Sequence, residues 1–184
     1  KQATTTYSEP AIQNNPSSKI FKNITKDSKT FHDFSVIKKL AQGKFAIYLV
    51  QSSITHHLYA MKIFPKQGGM IHPLFLNEIR FVGFDHEHIL VPVYCKFHRE
   101  VAHGRHIEEV SFTLTPYAPH SSLYHLIIEH GITFDETMTR TLFHQIIEGL
   151  EYLHSNGISH LDIKLENLVF DKDYRLKIID FDMS

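Results

Sequence analysis

The segment His160–Asn167 combines side chains of four chemical types that could act together in catalysis. This short stretch carries an imidazole, a carboxylate, an ammonium group and an amide, at His160, Asp162, Lys164 and Asn167. The sequence on either side has the patterns of regular elements, so the polar segment is predicted to be a loop. A polar loop held on both sides by rigid elements is where catalytic groups tend to lie. The pattern therefore predicts a catalytic loop between a helix and a hairpin.

The elements that would hold this loop are read from hydrophobic spacing. Before it, Thr133 and Glu136 have the spacing of a capping box. Apolar residues then recur at nearly every fourth position up to Asn156-Gly157, which predicts a long amphipathic helix with Met138, Leu142, Ile146, Leu150 and Leu153 on one face. After the loop, the turn-rich Asp171–Tyr174 separates two short apolar runs and predicts a small hairpin, Leu168–Phe170 with Leu176–Ile178.

The first half of the chain has a strand-rich pattern. Residues 1–30 are polar, without helical or strand spacing, and predict a flexible arm. A short helix is expected from Pro73 to about Gly83, since Pro suits the first helical turn and apolar residues follow at helical spacing. Five runs predict strands, at Phe34–Ile37, Phe45–Val50, His57–Phe64, Leu90–Tyr94 and Val110–Leu114, with a polar loop between the last two.

Composition excludes several classes of protein. The chain has 184 residues, a net charge of −1 and 42% hydrophobic residues, values typical of a globular chain and not of a disordered one. Its single cysteine, Cys95, cannot form an internal disulfide, so we expect a reducing compartment, the cytoplasm or the nucleus. Apolar runs are too short for a membrane-spanning helix, and the balanced charge predicts no nucleic-acid partner.

The polar loop and the residues after the hairpin resemble two motifs of protein kinases. His160-Leu161-Asp162-Ile163-Lys164-Leu165-Glu166-Asn167 resembles their catalytic loop, and Asp180-Phe181-Asp182 resembles their metal-binding Asp-Phe-Gly. The resemblance implies that Asp162 orients a substrate hydroxyl and accepts its proton, and that Lys164 neutralises the transferred phosphate. It further implies that Asn167 and Asp180 bind Mg²⁺. Lysine at 164 resembles the serine/threonine class more than the tyrosine class.

The resemblance extends upstream to a nucleotide site. Tyr59-Ala60-Met61-Lys62 matches the strand that carries the family's nucleotide lysine, so Ala60 and Lys62 are expected to contact ATP. Glu78, on the predicted short helix, is expected to form an ion pair with Lys62 and so to fix its ammonium group.

A hinge between two lobes is expected at residues 115–119. There the resemblance implies that Thr115 is the gatekeeper, and that Pro116 and Ala118 offer a carbonyl and an amide to adenine. Proline lacks an N–H, but the family uses the carbonyl at that place. The implied fold is α+β with two lobes. Residues 31–114 form a five-stranded antiparallel lobe with one helix, and 120–184 begin a mainly helical lobe.

Three departures from the family pattern have expected consequences. Of the three glycines in the phosphate loop only Gly43 is kept, which predicts weaker nucleotide binding because alanine does not adopt positive φ as freely. Asp182 replaces the glycine of Asp-Phe-Gly, and its carboxylate could either attract another cation or hinder backbone rotation. Leu161 replaces an arginine that in the family binds a phosphate on the activation segment.

The resulting prediction is an ATP- and Mg²⁺-dependent serine/threonine protein kinase that acts on protein substrates. The main alternative is a pseudokinase that binds nucleotide or a protein partner without transferring phosphate; a small-molecule phosphotransferase is disfavoured by Lys164. His98, His103 and His106 have no established zinc spacing, so we interpret them as surface histidines. We also expect the family's remaining C-terminal elements to lie outside this sequence. Leu142, Ile146 and Leu150 are therefore expected on an exposed apolar surface that makes residues 1–184 self-associate.

Overall fold

An antiparallel sheet with a short helix on one face forms the first half of the chain. The computed structural model describes residues 34–103 and 106–184, so the arm predicted at 1–30 lies outside the described residues. The elements are β1 (Phe34–Gln42), β2 (Ala46–Ser52), β3 (Leu58–Pro65), α1 (Pro73–Glu78), β4 (Tyr94–His103) and β5 (His106–Pro116). The sheet order is β1-β2-β3-β5-β4, and one 3₁₀ turn, Ile79–Phe81, extends α1.

The two faces of strand β3 have different partners. Successive side chains of a strand point to opposite faces of the sheet. Met61 packs on one face in a cluster with Val50 and Leu114. Phe64 lies on the other face and packs against Phe75 of α1, with ring centroids 5.4 Å apart. Lys62 and its partner across the strands, Thr113, share this second face. The hydrophobic contact therefore places α1 above Lys62.

The second half is organised around helix α2 (Glu136–Ser155), which follows a π-helical turn, His125–Glu129. A 3₁₀ turn (Leu165–Asn167) then leads into the hairpin of β6 (Leu168–Phe170) and β7 (Leu176–Ile178). The buried side chains of α2 and the hairpin share one core, which includes Leu142, Leu153, Leu168, Phe170, Leu176, Ile178 and Phe181. Among the described helices, none is long and apolar enough to cross a membrane.

Two backbone hydrogen bonds join the first half to the hairpin. Ile178 donates its N–H to the carbonyl of His88, and Leu90 donates to the carbonyl of Ile178, each at 2.9 Å. The five-stranded antiparallel sheet with its helix, followed by helix α2 and the β6–β7 hairpin, confirms the predicted α+β, two-lobe, kinase-like fold.

The predicted strand Leu90–Tyr94 is wrong. Strand β4 begins at Tyr94, and Ile89 and Val91 are buried in the core that α2 shares with the hairpin. Pro92 has no N–H to donate to a ladder, and a short apolar run does not by itself distinguish a strand from another buried segment. The polar loop predicted between the last two strands is also wrong, because β4 and β5 continue as paired strands to His103 and His106. Residues 96–109 are mostly polar, so their sequence lacks the apolar alternation by which strands are predicted.

Helix α2 begins and exposes its surface differently from the prediction. Its N-cap is Asp135, whose Oδ1 accepts a hydrogen bond from the N–H of Met138 at 2.7 Å, and not Thr133. Leu142 is buried and Ile146 and Leu150 pack against the core, so the expectation that these three are exposed is wrong. The exposed apolar residues are Met138, Phe143 and Ile147. The helix end at Asn156-Gly157 and the hairpin strands are confirmed.

Candidate active site

The predicted catalytic loop is anchored by a buried histidine. His160 is 2% exposed and its ring contacts that of Phe181 at 5.0 Å. The backbone N–H of Asp162 donates to Nδ1 at 3.3 Å, which leaves the proton on Nε2 to be donated to the carbonyl of Ile179 at 2.9 Å. Burial lowers the pKa of His160 below its usual value, against the opposing effect of the Ile179 carbonyl. A neutral His160 therefore ties the loop to the chain that follows β7.

Asp162, Lys164 and Asn167 lie together, as the spacing in the loop predicts. Lys164 Nζ donates to Asp162 Oδ2 at 2.8 Å. The amide of Asn167 donates both to the backbone carbonyl of Asp162, at 2.9 Å, and to its Oδ2, at 3.0 Å. The hydrogen bond from Lys164 is the main reason why the pKa of Asp162 lies below its usual value. Asp162 is thus an ionised acceptor held in one orientation.

The second part of the site is a cluster of charged side chains around Lys62. Its Nζ lies 2.7 Å from Oε2 of Glu78, 2.5 Å from Oδ1 of Asp180 and 2.9 Å from Oδ2 of Asp182. The ion pair expected between Lys62 and Glu78 is therefore present. Thr113, opposite Lys62 on β5, donates its hydroxyl to the other oxygen of Glu78 at 2.7 Å. Sheet and helix together fix the Glu78 carboxylate.

Burial and charge act against each other on these side chains. Burial favours the neutral form of Lys62, but the three carboxylates outweigh it and raise the pKa of Lys62 above its usual value. Glu78 is 4% exposed, and burial raises its pKa, against the effects of Lys62 and Thr113. Lys62 is therefore an ammonium ion at neutral pH, and its charge is what makes the buried carboxylates tolerable.

Asp180 and Phe181 join the two parts of the site. Asp180 has a positive φ of 68°, an uncommon backbone conformation outside glycine that is found at functional sites. The ring of Phe181 is fully buried, and it contacts Phe81, which follows α1, at 4.9 Å. Ile179 donates its N–H to the backbone carbonyl of Asn167 at 3.0 Å. Asp180 is thereby held beside the catalytic loop on one side and Lys62 on the other.

The oxygen donors of the site fit Mg²⁺. Carboxylate and amide oxygens are the ligands that Mg²⁺ prefers. Because the side-chain N–H groups of Asn167 are directed at Asp162, its Oδ1 is left as an acceptor on the other side of the amide. Carboxylate oxygens of Glu78, Asp180 and Asp182 lie within 4.8 Å of one another. Asn167 and Asp180 are the residues that would hold the ion, and Asp180 is the one of the two that contacts Lys62.

The predicted phosphate loop lies between β1 and β2. Gly43 is exposed, and a Cβ built on it would meet nothing within 4 Å, so neither the packing nor a positive φ requires glycine there. Phe45 is buried instead, with its ring 4.5 Å from that of Phe64 and 5.0 Å from that of His72, the N-cap of α1. Lys62 Nζ lies 5.4 Å from the centre of the Phe45 ring. The tip of the loop therefore packs on β3 and α1.

The predicted hinge residues are placed at the end of β5. Thr115 pairs with Ala60 and Pro116 with Tyr59 across β3 and β5. Tyr117 donates its N–H to the carbonyl of Leu58 at 3.1 Å, and Ala118 is half-buried after it. Their roles towards adenine, like that of Ala60, stay predictions.

Three contacts of the site escaped the sequence analysis. They are the hydrogen bond of Thr113 to Glu78, the packing of Phe45 under the loop, and the direct contact of Asp182 with Lys62. The antiparallel register of β3 and β5, in which Thr113 pairs with Lys62, is the signal that could have revealed the first of these contacts. The orientation of Phe45 and Asp182 has no signal in residue spacing.

Comparison with known proteins gives the family. The protein kinase domain model matches residues 34–184. The chain is 30% identical over 174 residues to the serine/threonine-protein kinase PKH2 of Saccharomyces cerevisiae, which covers 90% of this chain and 15% of the relative. It is 29% identical over 170 residues to the serine/threonine-protein kinase PKH3 of the same organism, an alignment that covers 86% of this chain and 18% of the relative. It is 31% identical over 157 residues to the maternal embryonic leucine zipper kinase of Danio rerio, an alignment that covers 84% of this chain and 22% of the relative.

The chain therefore belongs to the protein kinase domain family, and its similarity is to kinases of the serine/threonine class. This confirms the resemblance seen in the two motifs. The chain spans less than a fifth of the length of the two yeast relatives.

Proposed function

We propose that the protein transfers the γ-phosphoryl group of ATP, with Mg²⁺, to serine and threonine hydroxyls of protein substrates. The observation that carries the proposal is the position of Lys62 Nζ, in contact at once with Glu78 of α1 and with Asp180 after β7. Phosphoryl transfer depends on positioning and on charge stabilisation more than on covalent chemistry. A lysine fixed between two elements supplies both, for the phosphates of a bound nucleotide.

The residues of the catalytic loop have matching roles. Asp162, ionised and held by Asn167, would orient the substrate hydroxyl and accept its proton. Lys164, beside Asp162, would face the transferred phosphoryl group and neutralise its charge. Asn167 and Asp180 would hold Mg²⁺, which when bound neutralises the charge of the β- and γ-phosphates. The hinge, with Thr115, Pro116 and Ala118, would bind adenine.

Transfer of labelled phosphate by the full-length protein tests this function. The substrates are γ-labelled ATP and peptide mixtures whose acceptors are serine, threonine or tyrosine. We expect label on serine and threonine, and its loss in Lys62→Met. Undiminished transfer by that variant would contradict the assignment of Lys62, and label on tyrosine alone would contradict the substrate class.

The contact of Asp182 with Lys62 favours a second candidate function, nucleotide binding without transfer. In that case the full-length protein would bind ATP in a titration and label no peptide. Nucleotide binding accompanied by transfer would rule this candidate out.

A further inference from the structure

Asp182 is anchored so that its carboxylate meets Lys62. It is 7% exposed, and its Oδ2 accepts a hydrogen bond from Lys62 Nζ at 2.9 Å. Its backbone carbonyl accepts a hydrogen bond from the side chain of Asn77 at 3.2 Å. Asn77 precedes Glu78 in α1, so the helix that positions one counterion of Lys62 also positions the other.

Three carboxylates already surround the ammonium group of Lys62. An ammonium group has three N–H bonds, and Nζ has three carboxylate partners, Glu78, Asp180 and Asp182. The hydrogen bonds go to Asp180 and Asp182. Among the described residues, no donor is aligned with Oε2 of Glu78, which depends on the ion pair with Lys62. Asp182 therefore shares the ammonium group with Glu78 and Asp180 and takes one of its hydrogen bonds.

Of the three partners, Asp182 is the one that a nucleotide can displace. Glu78 is held in place by Thr113 and by burial. Asp180 is the residue assigned to Mg²⁺. Asp182 is also buried, but among the described residues its carboxylate has no hydroxyl donor like Thr113, and no metal is assigned to it. Glycine, the residue that the family has at this place, has no side chain that could compete for Lys62.

We propose that the carboxylate of Asp182 competes with nucleotide phosphates for Lys62. Nucleoside di- and triphosphates must displace this carboxylate from Lys62 Nζ in order to bind. This inference rests on the proposed function. It means that the affinity for nucleotide is set by Asp182 as well as by the reduced glycine content of the phosphate loop. The carboxylate occupies on Nζ the place of a phosphate oxygen, and both are charged acceptors of the same ammonium group.

The test measures nucleotide affinity in the full-length protein by calorimetric titration with ADP and Mg²⁺. Asp182→Asn keeps the size of the side chain and removes its charge, and we expect it to lower the Kd for ADP by about tenfold. Asp182→Gly should give a change in the same direction. Asp173→Asn, the same change at an exposed turn, is the matched control and should leave the Kd within twofold.

Two further measurements separate competition for Lys62 from a general effect of charge. The Kd for adenosine, which has no phosphate, should be the same in Asp182→Asn as in the unmodified protein. In a Lys62→Met background, Asp182→Asn should no longer tighten ADP binding, since coupled residues show non-additive effects. If Lys62→Met does not fold, as judged by its thermal unfolding, the contrast between ADP and adenosine alone decides.

Each outcome bears on a definite claim. Equal ADP affinity in the unmodified protein and Asp182→Asn would overturn the inference and leave the proposed function intact. Weaker ADP binding by Asp182→Asn would overturn it in favour of a carboxylate that helps to hold Mg²⁺. No binding of ADP or ATP by any form of the protein would contradict the proposed function itself, and with it the inference.

Discussion

At the scale of single residues, the site depends on buried polar side chains whose hydrogen-bond and ion-pair partners are defined. His160 is the example with a consequence for stability. It is neutral in the folded protein because Asp162 and Ile179 use its two ring nitrogens in the neutral form. Protonation would replace the acceptor at Nδ1 with a second donor facing an N–H group.

The lowered pKa of His160 predicts a pH dependence of stability. In the unfolded chain its pKa is near 6.5, and in the folded protein it is lower. Below pH 6.5 the unfolded state therefore binds the proton first, and the free energy of unfolding falls as the pH falls towards the folded pKa. We expect His160→Gln, which does not titrate, to lose less stability between pH 7.5 and 5.5 than the unmodified protein.

Urea unfolding at the two pH values measures this difference. His154→Gln, a change on the exposed surface of α2, controls for the loss of one histidine. An equal pH dependence in His160→Gln and the unmodified protein would show that His160 is not held neutral.

At the scale of secondary structure, helix α2 permits a direct test of its start. The sequence predicts a cap at Thr133, whereas the structure has it at Asp135. Loss of an N-cap typically costs about 1 kcal/mol. We expect Asp135→Ala to lower the free energy of unfolding by about that amount, and Thr133→Ala to leave it nearly unchanged. If denaturant unfolding shows a larger loss of stability in Thr133→Ala than in Asp135→Ala, the N-cap is Thr133, as the sequence predicts.

Helix α2 also contains a glycine required by close packing. A Cβ on Gly149 would lie 2.9 Å from Cδ1 of Ile178 and 3.0 Å from the carbonyl oxygen of His88, which accepts a hydrogen bond from β7. Glycine to alanine inside a helix normally stabilises it by about 1 kcal/mol. Here we expect Gly149→Ala to destabilise by about 1 to 3 kcal/mol, the usual cost of overpacking.

The measurement is again the free energy of unfolding, with Glu151→Ala on the exposed side of the same helix as control. A gain in stability in Gly149→Ala would mean that the contact between α2 and β7 is looser than the distances indicate.

Sequence reasoning succeeds for elements whose pattern is dictated by one local interaction. The end of α2 at Asn156-Gly157 follows from the preference of asparagine and glycine for helix ends. The hairpin follows from the turn-forming residues of Asp171–Tyr174. The sequence does not distinguish Thr133 from Asp135 as the N-cap, because both residue types are good caps and the choice depends on where the chain enters the core. The apolar segment at Leu90 resembles a strand because burial against another element leaves the same apolar pattern as strand pairing.

The site divides in the same way. The group Asp162, Lys164 and Asn167 is close in sequence, so its geometry follows from the loop. Lys62 and Glu78 could be paired only through the family resemblance. The contact of Asp182 with Lys62 joins residues far apart in the chain, and no spacing rule brings them together.

At the scale of the whole molecule, the residue at position 161 bears on regulation. Leu161 is 75% exposed and has a positive φ of 62°, so it does not pack against a neighbouring strand. Leucine has no donor for a phosphate on an activation segment. We expect the full-length protein to keep its peptide turnover after phosphatase treatment. A fall of more than about tenfold, or 1.4 kcal/mol in the barrier, would show that another basic residue has that role.

The proposed phosphoryl transfer requires Asp162 to act as the catalytic base. Asp162→Asn keeps the size of the side chain and its contact with Asn167, but removes the acceptor of the hydroxyl proton. In the full-length protein we predict a fall in kcat for peptide phosphorylation of about 10²- to 10⁴-fold, the usual contribution of a general base. The Kd for ADP should stay within twofold, and Asp173→Asn should change neither quantity. A kcat within threefold of the unmodified protein would show that Asp162 is not the catalytic base.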